Sequence, residues 1–590
     1  MHVSALRYDP LIRAGLCASF FLWLSPFLAA QDPQAEFRRG VAALHHFEYE
    51  DANETFRRIQ GANPEFAMAY WGEAMTYHQT LWRNENIVAA RAALNRLGAT
   101  PAARAARAAT PQDKALIAAI DVLFGDGDSA SRRRGYADAM GALYARNPED
   151  PDIASFYALA LLGTMSRSLI GYVDSHEGHS ASLAGSETQR RVAEIIERVL
   201  RAHPQHPGAL HYLLHTYDDP AHAKLALPAA RTYATVAPES SHARHMPAHI
   251  FVQLGLWQEA AATDRAAFAA SDTWVKAKGL GAALRSYHAL SWLQYELLQL
   301  GRYREAWATL DEIAPTVKAT GDLGLLSELS SMRARYVVET RRWEVLAQER
   351  NFGNVNELYA IGVSAARSGN APLAELARQG LATRSQSPQE GDLRPAIAIM
   401  ERQVAAMIEL SAGRGERAIE ILKAATDAEL HLPPPLGLPA PIKPAPELLG
   451  ETLLELGRPA EAIDPFQRAL ARNANRSLSV LGLARAAAAT GSSDVARQRY
   501  RELLENYSQA DADVPELTAA KAALAGAESL PSFAAPVIGV TAGLIGLVAA
   551  GFALRRRGVR PGAPTAGHAT RASRDEKRRR HRRRPPINTD

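Results

Sequence analysis

Eight of the eighteen histidines in this 590-residue chain lie between positions 203 and 249. His211 and His215 are four residues apart, and so are His245 and His249. On a helix, residues four apart share a face. The second pair follows the first at a distance of 34 residues. Imidazole is a good ligand for transition metals, and two such pairs on adjacent helices could converge on one ion at about 2.0–2.1 Å per nitrogen. Zn, Cu or Fe is the cofactor such a set would suit. His242 is an alternate ligand. Asp218 could add an oxygen ligand or hold a ligating imidazole from behind. Crowded imidazoles could instead sense pH as it falls through about 6.5, touch a bound peptide, or simply pack. Pro247 favours the first turn of a helix, which would put His245 at the cap.

Other chemistry is scarce. No HExxH, P-loop, GxSxG or GxGxxG motif is present. Gly125–Ser129 lacks the spaced oxygen ligands of a calcium loop. With no complete catalytic motif, the chain reads as a binding protein rather than an enzyme. The one cysteine, Cys17, falls in a segment expected to be removed, which excludes disulfide and thiolate chemistry from the mature chain.

The elements that must carry these histidines read as helix almost throughout. Apolar residues recur at intervals of three and four, and Ala, Leu, Glu and Arg dominate. Leu-Gly-Leu-Trp (254–257), Leu-Gly-Arg-Tyr (300–303) and Leu-Gly-Arg-Pro (456–459) are turn signals after helical stretches. A 34-residue beat is also visible. Gly40, Ala52, Phe56 and Pro64 fall at positions 8, 20, 24 and 32 of one period, and Gly450, Ala462, Phe466 and Ala469 at 8, 20, 24 and 27 of another. Ala484, Ala496 and Tyr500 continue it, while Tyr217, Ala226, Pro238, Phe251, Ala260 and Ala267 fit the middle.

This pattern resembles the tetratricopeptide repeat (TPR) superfamily. The resemblance implies an all-α, superhelical solenoid of helix hairpins whose concave groove is lined by positions 2, 5, 9, 12 and 13 of each first helix. It places His211, His215, His242, His245 and His249 on that groove, with Trp71 and His78 lining an earlier part of it. It implies a protein or peptide partner held there. The segment His206-Pro207-Gly208, His211-Tyr212, His215, followed by His245-Met246-Pro247 and His249-Ile250-Phe251, also resembles one shared by a set of exported bacterial repeat proteins. That likeness marks the segment as a unit and implies no activity.

The two ends differ from the middle. Residues 1–30 carry Arg7 and Arg13, then an apolar run closing on Leu28-Ala29-Ala30, the form of an export signal. Residues 534–554 are uncharged and long enough to cross a bilayer as a helix. Arg555-Arg556-Arg557 follow, so the tail is expected to be cytoplasmic and the repeats periplasmic or extracellular. The tail, 555–590, holds thirteen Lys or Arg against three Asp or Glu, a balance of +10. The whole chain is only +4, so residues 1–554 sum to −6. The tail could meet anionic lipid; no nucleic acid is expected for the repeat region. The expected layout is a first repeat block over 34–425, a Pro-rich linker at 426–446, a second block over 447–508, a stalk at 509–533, then the span and tail. Residues 165–186, with His176 and His179, break the beat and could cover the groove.

Overall fold

The computed structural model describes residues 32–165, 186–348 and 353–525. The expected export segment, membrane span and basic tail lie outside the described residues. So do residues 166–185, with His176 and His179, and residues 526–533 of the expected stalk. Among the described residues no helix is long and apolar enough to cross a membrane.

Many helices begin where a side chain can take up a free backbone N–H, and the helices pack chiefly on their sequence neighbours. Asp32, Asp128, Asp150, Ser240, Asp322 and Asn354 are examples of such caps. The three glycine turns behave alike. Gly255, Gly301 and Gly457 have φ of 66°, 67° and 72°, the left-handed backbone in which glycine has no Cβ to clash.

The repeat register has a direct steric basis. The Phe56 ring lies between Gly40 and Gly72, and a Cβ on either glycine would collide with it. The same arrangement recurs 410 residues later, with Phe466 between Gly450 and Gly482. Each phenylalanine is completely buried. Two glycines from successive first helices admit one aromatic from the second helix between them, which is the close approach the small-residue positions exist to allow.

The array folds back on itself. Arg476 is fully buried and joins three elements. Its Nε donates to Glu447 Oε2 at 2.8 Å, one Nη to Glu339 Oε1 at 2.6 Å and the other to the Tyr295 hydroxyl at 3.1 Å. Beside it, the Ser477 hydroxyl donates to the Gln299 carbonyl at 2.6 Å, and the Trp257 indole donates to the Asn475 carbonyl at 2.9 Å. The 447–525 repeats are therefore docked on the middle helices Trp257–Ala277, Tyr287–Gln299 and Leu323–Thr340.

The Pro-rich stretch between His431 and Pro444 lies against this seam and is largely buried. Proline and glycine deny it helical hydrogen bonds, so side chains supply them instead. Arg472 donates to the Leu432 and Pro433 carbonyls, Gln253 to Pro435, and Gln403 to Lys443. Gly437 comes so close to the Trp292 ring that no side chain would fit.

Replacing Arg476 with Met should destabilise the fold by about 3–5 kcal/mol, because Glu339 and Glu447 would stay buried without their guanidinium. Urea unfolding of the two proteins measures this. An unchanged midpoint would mean that the seam is not held by this residue.

Candidate metal centre

Three first helices build the site, each starting with its own cap. Pro207–Thr216 carries His211 and His215 at its fifth and ninth residues. Ser241–Leu254 carries His242, His245 and His249 at its second, fifth and ninth. Tyr287–Gln299 carries His288 at its second. Ser240 caps the middle helix by accepting the Ala243 N–H, so Pro247 sits inside the helix and His245 lies on its face, not at its cap as Pro247 suggested.

The four expected ligands do not form one group. The structure divides them into two triads, His211, His215 and His242, and His245, His249 and His288. In each triad an i, i+4 pair on one helix meets the second residue of the next first helix. His211 Nε2 is 3.1 Å from both His215 Nε2 and His242 Nε2. His245 Nε2 is 3.1 Å from both His249 Nε2 and His288 Nε2. The triads approach one another through His215 and His249, whose ring centroids are 6.4 Å apart.

The opposite ring nitrogens decide what these short contacts mean. His245 Nδ1 faces Asp264 Oδ1 at 2.6 Å, and His249 Nδ1 faces Asp218 Oδ2 at 2.8 Å. Gln253 donates to the other oxygen of Asp218 at 3.2 Å. A carboxylate accepts, so both Nδ1 atoms carry their protons. The two Nε2 atoms between them then present lone pairs to each other. Likewise His211 Nδ1 donates to the His45 backbone carbonyl at 2.6 Å, leaving its Nε2 lone pair toward His215 and His242. Burial also keeps His211 neutral, pushing it down to about 3. Lone pairs at 3.1 Å repel one another unless a proton or a metal ion lies between them. An ion at about 2.0–2.1 Å from each nitrogen would see ligands 3.1 Å apart at about 100°, three corners of an incomplete shell. Asp218 is thus placed to orient a ligand, and His242 is a member of the first triad.

Two buried carboxylates lie directly behind the second triad. Next to Asp264 stands Glu296, also fully buried. Burial, with the neighbouring Asp264, pushes Glu296 well above the ordinary carboxylate range.

A third cluster shows the contrast. His45 Nε2 and His206 Nε2 lie 3.0 and 3.1 Å from one oxygen of Asp152. His206 Nδ1 accepts the Ala209 N–H, so its proton is on Nε2 and points at Asp152. His45 Nδ1 faces the Tyr212 hydroxyl at 2.9 Å. Ordinary hydrogen bonds satisfy these rings, and no ion is required.

Beside the triads opens a cleft of about 1270 Å³, reached by His242, His245 and His288. Phe47, Trp82 and Trp274 give it aromatic walls. Its Lys278 is held by Asp51 at 2.6 Å and Glu54 at 2.5 Å, and its Arg285 by Glu312 at 2.6 Å. Glu48, hydrogen-bonded by the Ser240 hydroxyl, is pushed up to about 7 by burial. The cleft therefore has little to offer an anion.

Trp71 and His78, expected on the groove, are absent from the cleft wall. Trp71 is buried against Phe37 and Phe156. His78 sits in the short ribbon His78–Gln79 with Asn84–Glu85, edge-on to Phe124. The chain turns into that ribbon at Tyr77, where the first helix Ala67–Thr76 ends, so position 12 is no longer helical.

His288 and the turn at His45 escaped the sequence reading. His288 repeats the position of His242 in the next first helix, but the helix Trp257–Ala277 and the short turn Ala282–Leu284 delay it to 46 residues, beyond the 34-residue beat. His45 acts through its backbone, which leaves no mark in the sequence.

The fold is TPR-like. No protein-family model and no curated protein matches the chain. Solved structures of low likeness include yeast Tom70, at 13% identity over 84% of this chain and 96% of that one, with a TM-score of 0.26. The Cut9–Hcn1 hetero-tetramer of the APC/C shares 11% identity over 85% and 97%, with a TM-score of 0.27. The TPR domain of P58(IPK) shares 13% over 85% and 100%, with a TM-score of 0.20. Likeness at this level carries no weight for the site; the repeat assignment rests on the glycine–phenylalanine packing and the 34-residue beat.

His78 yields a pH test. Burial lowers it to about 4, aided by Arg133, Arg83 and Arg132 against the pull of Glu85. The unfolded ring takes a proton near 6.5 and the folded ring only near 4. Between those values the unfolded state binds more protons, so stability falls as pH falls. His78→Gln should flatten the decline in unfolding free energy between pH 7 and 5. An equal slope in both proteins would show that His78 is not the group concerned.

Proposed function

We propose that this chain is a metalloprotein holding two transition-metal ions, one in each histidine triad, at the wall of a substrate cleft. The observation that carries this reading is the pair His245 and His249. Both Nδ1 protons are committed to carboxylates, and both Nε2 lone pairs meet at 3.1 Å with His288 Nε2 equally near His245. One proton can bridge two of these nitrogens, but a metal ion accommodates all three.

The donor set speaks to the metal. Three neutral imidazoles with no thiolate suit Zn, Cu or Fe and suit Mg or Ca poorly. Three protein ligands leave room for an exogenous one, and an ion so placed would lower the pKa of a bound water to about 7. Asp218 and Asp264 fix the ring orientation and raise ligand basicity, the usual service of a carboxylate behind a ligating histidine. The cleft gives a substrate access to that position. The export signal read at 1–30 and the span read at 534–554 would set the site outside the cytosol, anchored to a membrane.

The TPR-like fold also supports a second reading, a scaffold for a protein or peptide partner. The cleft between the first helices is where such a partner would dock. A pure scaffold gives no reason for six imidazoles to meet nitrogen to nitrogen, so the metal reading stands first.

Elemental analysis of the full chain, purified without chelator, should find about two transition-metal ions per chain. His288→Ala should hold about one, while His206→Ala, which alters the hydrogen-bonded cluster, should hold two. A folded wild-type protein that contains no metal and cannot be loaded with Zn, Cu or Fe would overturn the proposal.

A further inference from the structure

The two triads are covered differently. An aromatic ring lies over each. Phe47 is 4.4 Å from His211, 5.4 Å from His242 and 6.1 Å from His215, centroid to centroid. Trp292 is 4.4 Å from His249, 5.0 Å from His245 and 5.6 Å from His288. Trp292 is clamped from behind by Gly437 and takes no part in the cleft wall. Phe47 does line the cleft, and only 5% of it is exposed.

Phe47 also holds an unfavourable backbone. Its φ is 61°, in the left-handed region that bulky residues avoid. Strain of this kind persists where the surroundings dictate it, and it gathers at functional sites. Here the surroundings are visible. The turn His45–Phe47 presents the His45 carbonyl to His211 Nδ1, which sets the direction of that ligand. The His45 ring is pinned by Tyr212 and Asp152, and His46 by the Tyr233 hydroxyl at 2.9 Å. With two histidines fixed, the third residue of the turn must bend back, and its ring comes down on the triad. Trp82 packs edge-on against both Phe47, at 5.4 Å, and His242, at 5.5 Å.

We propose that Phe47 determines which ligands the first ion can take. With the ring in place, that ion is open to water, hydroxide or another molecule of two or three atoms. The second ion, with His245 and His288 on the cleft wall where the first has only His242, receives the larger substrate. The two ions thus have separate work, one for a small reactant and one for the molecule in the cleft. This rests on the two-ion reading above.

The test uses the full chain loaded with Co(II) to two ions per chain, mixed with a bulky coloured chelator, 4-(2-pyridylazo)resorcinol. Wild type should release cobalt in two phases, the slow one at least ~10-fold slower. The slow phase should be missing in His242→Ala and retained in His288→Ala. Phe47→Asn removes the ring while keeping a residue that accepts the left-handed backbone; it should bring the slow phase to within about twofold of the fast one. Phe47→Leu, which keeps an apolar side chain, should show an intermediate rate and serves if the Asn variant does not fold. Wild-type release in a single phase, or two unchanged phases in a folded Phe47 variant, overturns the gate and leaves the two-ion reading standing. A wild type that takes up no cobalt overturns both.

Discussion

Two imidazoles cannot share a hydrogen bond when each has already given its only proton to something else. That constraint governs the centre of this protein. His245 and His249 lie deep in the interior with their protons turned outward to Asp264 and Asp218. What remains between them is electron density at close range. In a low-dielectric interior such crowding is unfavourable unless a positive charge occupies the gap. The carboxylates behind the rings and the carbonyl behind His211 follow as parts of one electrostatic arrangement. The cluster of His45, His206 and Asp152 proves the rule from the other side, since there each ring nitrogen meets a group of complementary character.

Helical repetition is what makes the arrangement possible twice. The first helix of each repeat offers the fifth and ninth residues on one face and the second residue near its start. Stacking then brings the second residue of one helix alongside the fifth and ninth of its predecessor. Each triad is therefore an interface product, formed only when neighbours pack. The glycine–phenylalanine wedges that set the packing distance at the two ends of the array reflect the same geometry.

Much of this was legible in the chain's own spacing, and the exceptions are instructive. The pairs 211/215 and 245/249 followed from their spacing, and His242 from the register that the resemblance to tetratricopeptide repeats implies. One shared ion did not follow, because each pair meets the second residue of the next first helix and forms a triad of its own. His288 was hidden by a second helix of 21 residues that lengthens one period. The stretch around Pro435 looked like a tether because it has no regular backbone bonds. It is a packed strap, since glutamine and arginine side chains from distant helices satisfy its carbonyls. His78 and Trp71 were assigned to the concave side by register, yet a two-stranded ribbon ends the helix before the register reaches His78.

Solenoids can usually gain or lose a unit and still fold, because each unit answers only to its neighbours. The three consecutive first helices here are an exception. Deleting the middle one would split both ligand sets at once, and inserting one would separate a pair from its third member. This stretch of the array is thus counted rather than merely repeated. Any descendant that keeps the chemistry must keep its arithmetic, however freely the flanking hairpins come and go.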